Sequence, residues 1–264
     1  MLKKGIHIVF TGILLFTVSC SGYEKILKST DVEMKFNKAL EYYAEEDFVK
    51  ASTLLEQISP YYRGTKKSDT ISYYIANSYF QMKDYIQAAY FFKEYTQTYP
   101  RGTFAEKAEF LHAYCNYMQS PRPSLDQEYT FKAIESFQLF LIKYPGTDKR
   151  DEVLTYLDEL KNKLVEKSYL SAKLYYDLGY YEAALVSLRN SIYEYPDSKF
   201  REDIMFLILK SNYLFAANSV ESKKKERLQN TLDEYYSFIS EYPKSDHQKE
   251  VEKIYEDSTK ELNL

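Results

Sequence analysis

Residues Ser72–Pro100 read SYYIANSYFQMKDYIQAAYFFKEYTQTYP. The stretch divides into two short amphipathic helices folded back on each other and stopped by proline. Ala76 and Tyr79 mark the first helix, and Ala88, Phe92 and Tyr95 mark the second. Tyr99-Pro100 ends the unit, because proline disfavours helical geometry in the residue before it. Ala76 lies twelve residues before Ala88, and Ala88 twelve before Pro100. A small residue with an aromatic three later, then Ala-x3-Phe, then Pro is the tetratricopeptide pattern. Its physics is steric: two helices approach closely where a side chain is nearly absent, and the neighbouring aromatic fills the space around the crossing.

The unit recurs. Upstream, Ala39-x2-Tyr42 and Ala51-x3-Leu55 keep the interval of twelve, with Ser59-Pro60 three residues early. Downstream come Ala133-x3-Phe137 with Pro145, then Ala172-x2-Tyr175, Ala184-x3-Leu188 and Pro196. Thr231-x3-Tyr235 and Pro243 close the series. The expected fold is all-α, a right-handed superhelix of about five tetratricopeptide-like helix pairs (an α-solenoid).

The first residues stand apart from this pattern. Lys3 and Lys4 precede an apolar run of thirteen, Ile6 to Val18. That is short of the ~20 residues that span a bilayer and has signal-peptide form. Val18-Ser19-Cys20 has the form of a lipobox, with Thr17 where leucine is usual. Cys20 is therefore the expected lipid-attachment residue and the mature N-terminus, and an incidental cysteine after an ordinary secretory signal is the alternative. Loss of residues 1–19 removes two lysines and no acid, taking the formal net charge from -4 to -6. Such a chain has no broad footprint for nucleic acid. Only Cys115 remains besides Cys20, so packing rather than a disulfide must stabilise the mature chain. With 29 tyrosines, sixteen phenylalanines and no tryptophan, helix-helix packing is the first use to expect of the aromatics.

Reading onward, residues 20–30 form a tether, and Thr30 or Asp31 caps the first repeat helix with Glu33 in its first turn. Residues 31–149 hold repeats 1–3, with Ser120-Pro121-Arg122-Pro123-Ser124 lengthening the turn inside the third. Residues 150–264 hold a long connecting helix, Arg150 to Asp177, and repeats 4–5. The connecting helix has no glycine or proline, and Val153, Leu154, Leu157, Leu160, Leu164 and Val165 follow helical spacing. His112 and Cys115, three apart, are too few for zinc, and no nucleophile with a matched base or phosphate loop is present. No catalytic residue, cofactor or metal is expected.

The cysteine-terminated signal and five repeats resemble the BamD family of outer membrane β-barrel assembly lipoproteins. The closest pieces are Cys20-Ser21-Gly22-Tyr23-Glu24-Lys25, Tyr99-Pro100, Asp126-Gln127, Tyr195-Pro196-Asp197-Ser198 and Ala217-Asn218-Ser219 with Lys224 and Arg227, and they look most like the versions found in Bacteroidota. The resemblance implies a lipid-anchored scaffold on the periplasmic face of the outer membrane. It also implies binding to the periplasmic POTRA region of BamA and delivery of unfolded β-barrel proteins. A partner site is expected at Asn218, Lys223, Lys224, Lys225 and Arg227, on a loop between the fifth repeat's helices. Tetratricopeptide geometry turns Phe36, Leu40, Tyr73, Asn77 and Phe80 toward a client groove, with packing between helices as the rival use. A glycan- or peptide-binding lipoprotein of the same fold is the alternative function.

Overall fold

The computed structural model describes residues 22–263, all of its regular structure helical. Residues 1–21, with the expected signal and Cys20, lie outside the described residues. Helix α1 covers 22–28, followed by α2 (Val32–Ala44) and α3 (Phe48–Ile58). After a 3-10 turn at Ser59–Tyr62 come α4 (Lys66–Gln81), α5 (Tyr85–Thr98), α6 (Ala105–Gln119) and α7 (Glu128–Lys143). Then follow α8 (Arg150–Asp177), α9 (Tyr181–Glu194), α10 (Arg201–Ala217), α11 (Glu221–Glu241) and α12 (Gln248–Leu262). The chain forms two compact units: one runs to Ser120 and takes in Glu128–Leu154, and the other takes in Pro121–Gln127 and Thr155–Leu264.

In the first unit α2 packs on α3, α4 on α5 and α6 on α7, and each pair also packs on the next. The signature alanines Ala39, Ala51, Ala76, Ala88 and Ala133 are all fully buried. The repeat length is written into the hydrogen bonds. Lys67 to Glu33 (2.6 Å), Asn77 to Tyr43, the Thr103 amide to Asp69 (2.9 Å), Gln119 to the Tyr85 carbonyl (3.2 Å) and Lys143 to Glu109 (2.8 Å) each join residues 34 apart. A 34-residue step is the tetratricopeptide period.

The turns inside the repeats share one design. Glu46 and Lys83 have φ of 62° and 61°, each directly before an aspartate cap. Asp47 and Asp84 accept from Lys50 N (3.2 Å) and Gln87 N (3.1 Å), satisfying amides that a helix start leaves free. Gly179, at φ 77°, takes the corresponding place before α9, where glycine meets no steric penalty. Asp31 caps α2 through Met34 N at 2.9 Å, as its position predicts.

Between repeats, Tyr95 Oη donates to Asp69 and accepts from the Phe104 amide at 3.0 Å. Gly102 sits against this network. A Cβ there would lie 2.5 Å from Tyr95 Oη and 2.9 Å from Tyr99 Cβ, so only glycine fits.

In the second unit α9 packs on α10, α10 on α11, and α12 on both α10 and α11. Several cross-helix pairs here are 40 to 45 residues apart, as in Arg201–Glu241 and Tyr213–Asp257. These repeats are longer than those of the first unit. Helix α8 spans the interval that the sequence assigns to one long helix. Helix α12 was not expected, yet Val251, Ile254 and Ser258 give it a buried stripe at helical spacing.

Within the stretch read as a tether, residues 22–28 form α1. Tyr23 meets Tyr42 edge-on (5.7 Å between centroids), and Ile26 and Leu27 pack on the first repeat's core. Lys35, buried, bridges the Leu27 carbonyl (2.9 Å) and Gln57 (2.7 Å).

Candidate partner-binding sites

The expected partner residues come together at the corner between α10 and α11. Asn218 Nδ2 donates to the Leu214 carbonyl at 2.8 Å, and Ser219 Oγ donates to the Phe215 carbonyl. The Leu214 carbonyl also accepts from the Asn218 amide at 3.1 Å, so both side chains bond back to the last turn of α10 and close its end. The Arg227 guanidinium lies 3.6 Å from the centroid of the Phe215 ring and donates to Ser219 Oγ. A planar cation over an aromatic face is an attractive contact, and it fixes the corner.

The loop expected at this corner is shorter than the sequence reading had it. Only Asn218–Val220 is non-helical, and Lys223, Lys224, Lys225 and Arg227 belong to the first turns of α11. The run SKKKERLQ contains no glycine or proline, and its lysines, glutamate and arginine favour helix. Glu221 offsets some of the unfavourable lysine charge at the positive helix end. Lys224 is tied to Glu261 of α12 at 2.6 Å, whereas Lys223 pairs with its helical neighbour Glu226 at 3.4 Å on an exposed surface. Lys223 and Lys225 are thus the most accessible cations of the set.

The five groove residues divide by exposure. Phe36, Tyr73 and Asn77 are buried, while Leu40 and Phe80 are half-buried. Tyr73 stacks on Phe104 with 4.2 Å between centroids, and burial raises its hydroxyl pKa. Phe36 lies against Tyr62 and beneath Lys67, and the Asn77 amide donates to Tyr43 Oη. The buried three therefore contribute to packing within and between the first three repeats.

His112 and Cys115 share no site. His112 lies on the floor of a groove of about 560 Å³ between α5 and α7. Its Nδ1 donates to the Ala89 carbonyl at 2.9 Å, leaving Nε2 as an acceptor 3.5 Å from Asn116 Nδ2. Burial lowers the pKa of His112 and pushes the Cys115 thiol up to about 12. A thiol so protonated at neutral pH is inert as a nucleophile. Among the described residues no cluster of three or more His, Cys, Asp or Glu side chains forms a metal site. None of the described helices is long and apolar enough to cross a membrane.

A family model described as YfiO, outer membrane lipoprotein, matches residues 29–228, three quarters of the chain. The chain belongs to the YfiO family. The matched span starts just after α1 and ends in α11, so it contains the α10–α11 corner. A putative outer membrane protein assembly factor BamD from Aquifex aeolicus (strain VF5) is 25% identical over 209 residues. That alignment covers 79% of this chain, and the chain spans 66% of the relative's length. A solved structure, a complex of the TPR2AB domain of yeast Sti1 with pHSP90, aligns over 86% of this chain and 98% of that one. Its identity is 13% and its TM-score 0.38.

Proposed function

We propose that the chain is a non-catalytic, lipid-anchored scaffold that assists assembly of β-barrel proteins at the outer membrane. The observation that carries this reading is the YfiO match over 29–228, supported by the assembly-factor relative. The repeat architecture suits it, because stacked helix pairs offer extended surfaces without a reaction centre. Cys20, by its place in the lipobox, would carry the anchor. The sequence pieces around Cys20 and Tyr195–Ser198 support placing the protein with the Bacteroidota versions.

Within this reading, residues 31–149 receive unfolded barrel clients and residues 150–264 meet the periplasmic POTRA region of BamA. For clients, Leu40 and Phe80 are the accessible members of the expected groove set. For the partner, Lys223 and Lys225 supply exposed charge, and Arg227 keeps further N–H donors beyond the one bonded to Ser219. Exposed lysines act mainly on association rate and salt sensitivity, whereas a fixed guanidinium can hold a carboxylate bidentately. The test is binding of the purified protein to BamA's periplasmic region at two salt concentrations. Wild type, Arg227→Glu and a Lys223→Glu/Lys225→Glu variant are compared, each checked for a native melting transition. Weaker, less salt-dependent binding by both variants is expected. Equal affinity in all three removes the corner from the interface.

A further inference from the structure

Helix α1 fixes where a lipid anchor at Cys20 leaves the body. The ring of Tyr23 touches Tyr42 near the end of α2, and Lys50 Nζ lies 5.6 Å from the Tyr23 centroid. At its other end, the Leu27 carbonyl accepts from Lys35 near the start of α2. Helix α1 therefore runs antiparallel to α2, and Gly22 stands beside the α2–α3 turn. Cys20 is two residues earlier, a reach of about 7 Å. An acylated Cys20 would hold this edge of the first unit at the bilayer, with little slack to turn another edge toward it.

The same edge recurs through the unit. Asn77 bonds Tyr43, which brings the end of α4 beside the end of α2. Gln119 at the end of α6 bonds the Tyr85 carbonyl at the start of α5, and Ser120 bonds Thr130 at the start of α7 (2.6 Å). The starts of α3, α5 and α7 thus lie along one side. Two residues before the buried alanine of each stands a large apolar side chain facing solvent: Val49 (63% exposed), Ile86 (62%) and Phe131 (58%). The corresponding residue before Ala184, in the unit without the anchor, is Glu182.

We infer that Val49, Ile86 and Phe131 form a row by which the first unit rests on the lipid bilayer, so that the anchor and the row together set its orientation. The inference rests on the lipid-anchor reading of Cys20. Lys50, Lys83 and Lys132 flank the row, but Asp47 and Glu128 pair with two of them, and Glu45 and Glu46 add negative charge. Apolar contact rather than attraction to anionic headgroups therefore drives the association, and salt should leave it unchanged.

The test uses the full lipoprotein in vesicles of phosphatidylethanolamine and phosphatidylglycerol. A fluorophore is placed at Val49→Cys, Ile86→Cys, Phe131→Cys or, as a control on the opposite edge, Tyr61→Cys. The native Cys115 is buried and does not compete for label. The mass of each protein is measured first to establish acylation, and melting curves establish folding. Lipid-borne quencher should reduce emission at the three row positions severalfold more than at position 61, at low and high salt alike. Acylated protein quenched equally at all four positions, or at none, overturns the row while leaving the anchor standing. Protein without acyl chains overturns the anchor reading and the row with it.

Discussion

Ala88 is fully buried in a cluster with Tyr73, Ala76, Phe92 and Ala108, where α5 meets its neighbours. Adding three carbons has no free volume to enter, so Ala88→Leu should cost about 1–3 kcal/mol, read from the denaturant midpoint. Gly102→Ala should cost a similar ~1–3 kcal/mol, because its methyl group would collide with Tyr95 Oη and Tyr99 Cβ. An unchanged midpoint would contradict either assignment. His112 gives a pH signature. Burial depresses its folded pKa below the unfolded value of about 6.5, so the unfolded chain binds the proton more readily. Its contribution to stability is therefore complete above pH ~6.5 and is lost as pH falls below that value toward the folded pKa. Wild type should lose more melting temperature than His112→Gln between pH 7 and pH 5. Parallel curves would mean the imidazole is equally accessible to protons in both states.

Among the elements, α6 and α7 are joined by an ion pair with unequal ends. Glu109 is 6% exposed, while the Lys143 side chain reaches solvent. Lys143→Met would leave a buried carboxylate without its cation, and a loss of about 1–3 kcal/mol is expected by urea unfolding. Lys143→Arg should retain most of the stability, and an equal loss in both would point to packing instead. Two features were legible in the sequence: Asp31 as the start of α2, from its capping side chain, and Arg150–Asp177 as one helix, from an apolar spacing uninterrupted by glycine or proline. The loop at Lys223–Arg227 was misjudged because a charge run between two apolar helices reads as solvated, whereas residues that favour helix continue α11 through it. The buried carboxylate at Glu109 and the ring beneath Arg227 were not legible. Both depend on partners on another helix, 34 residues away for Glu109 and twelve for Arg227, set by the repeat register. Helix α12 had a signal in Val251, Ile254 and Ser258, but it lies beyond the last proline of the pattern.

For the whole molecule, family membership and repeat architecture support the proposed role of holding partners together at a membrane surface. In the proposed scaffold role the anchor, the α10–α11 corner and the apolar row would act together, and none of them requires a reaction centre. Cys20→Ala should leave the melting transition unchanged while releasing the protein from membranes or retaining it as unprocessed precursor. Unchanged lipid labelling of that variant would contradict the anchor. Depleting the protein in its native cell while following newly made outer membrane β-barrel proteins through their heat-modifiable, folded forms tests the assembly role. Folded barrels should decline and unfolded ones accumulate, and wild-type protein supplied in trans should restore them; undiminished folding of barrels in fully depleted cells would contradict that role.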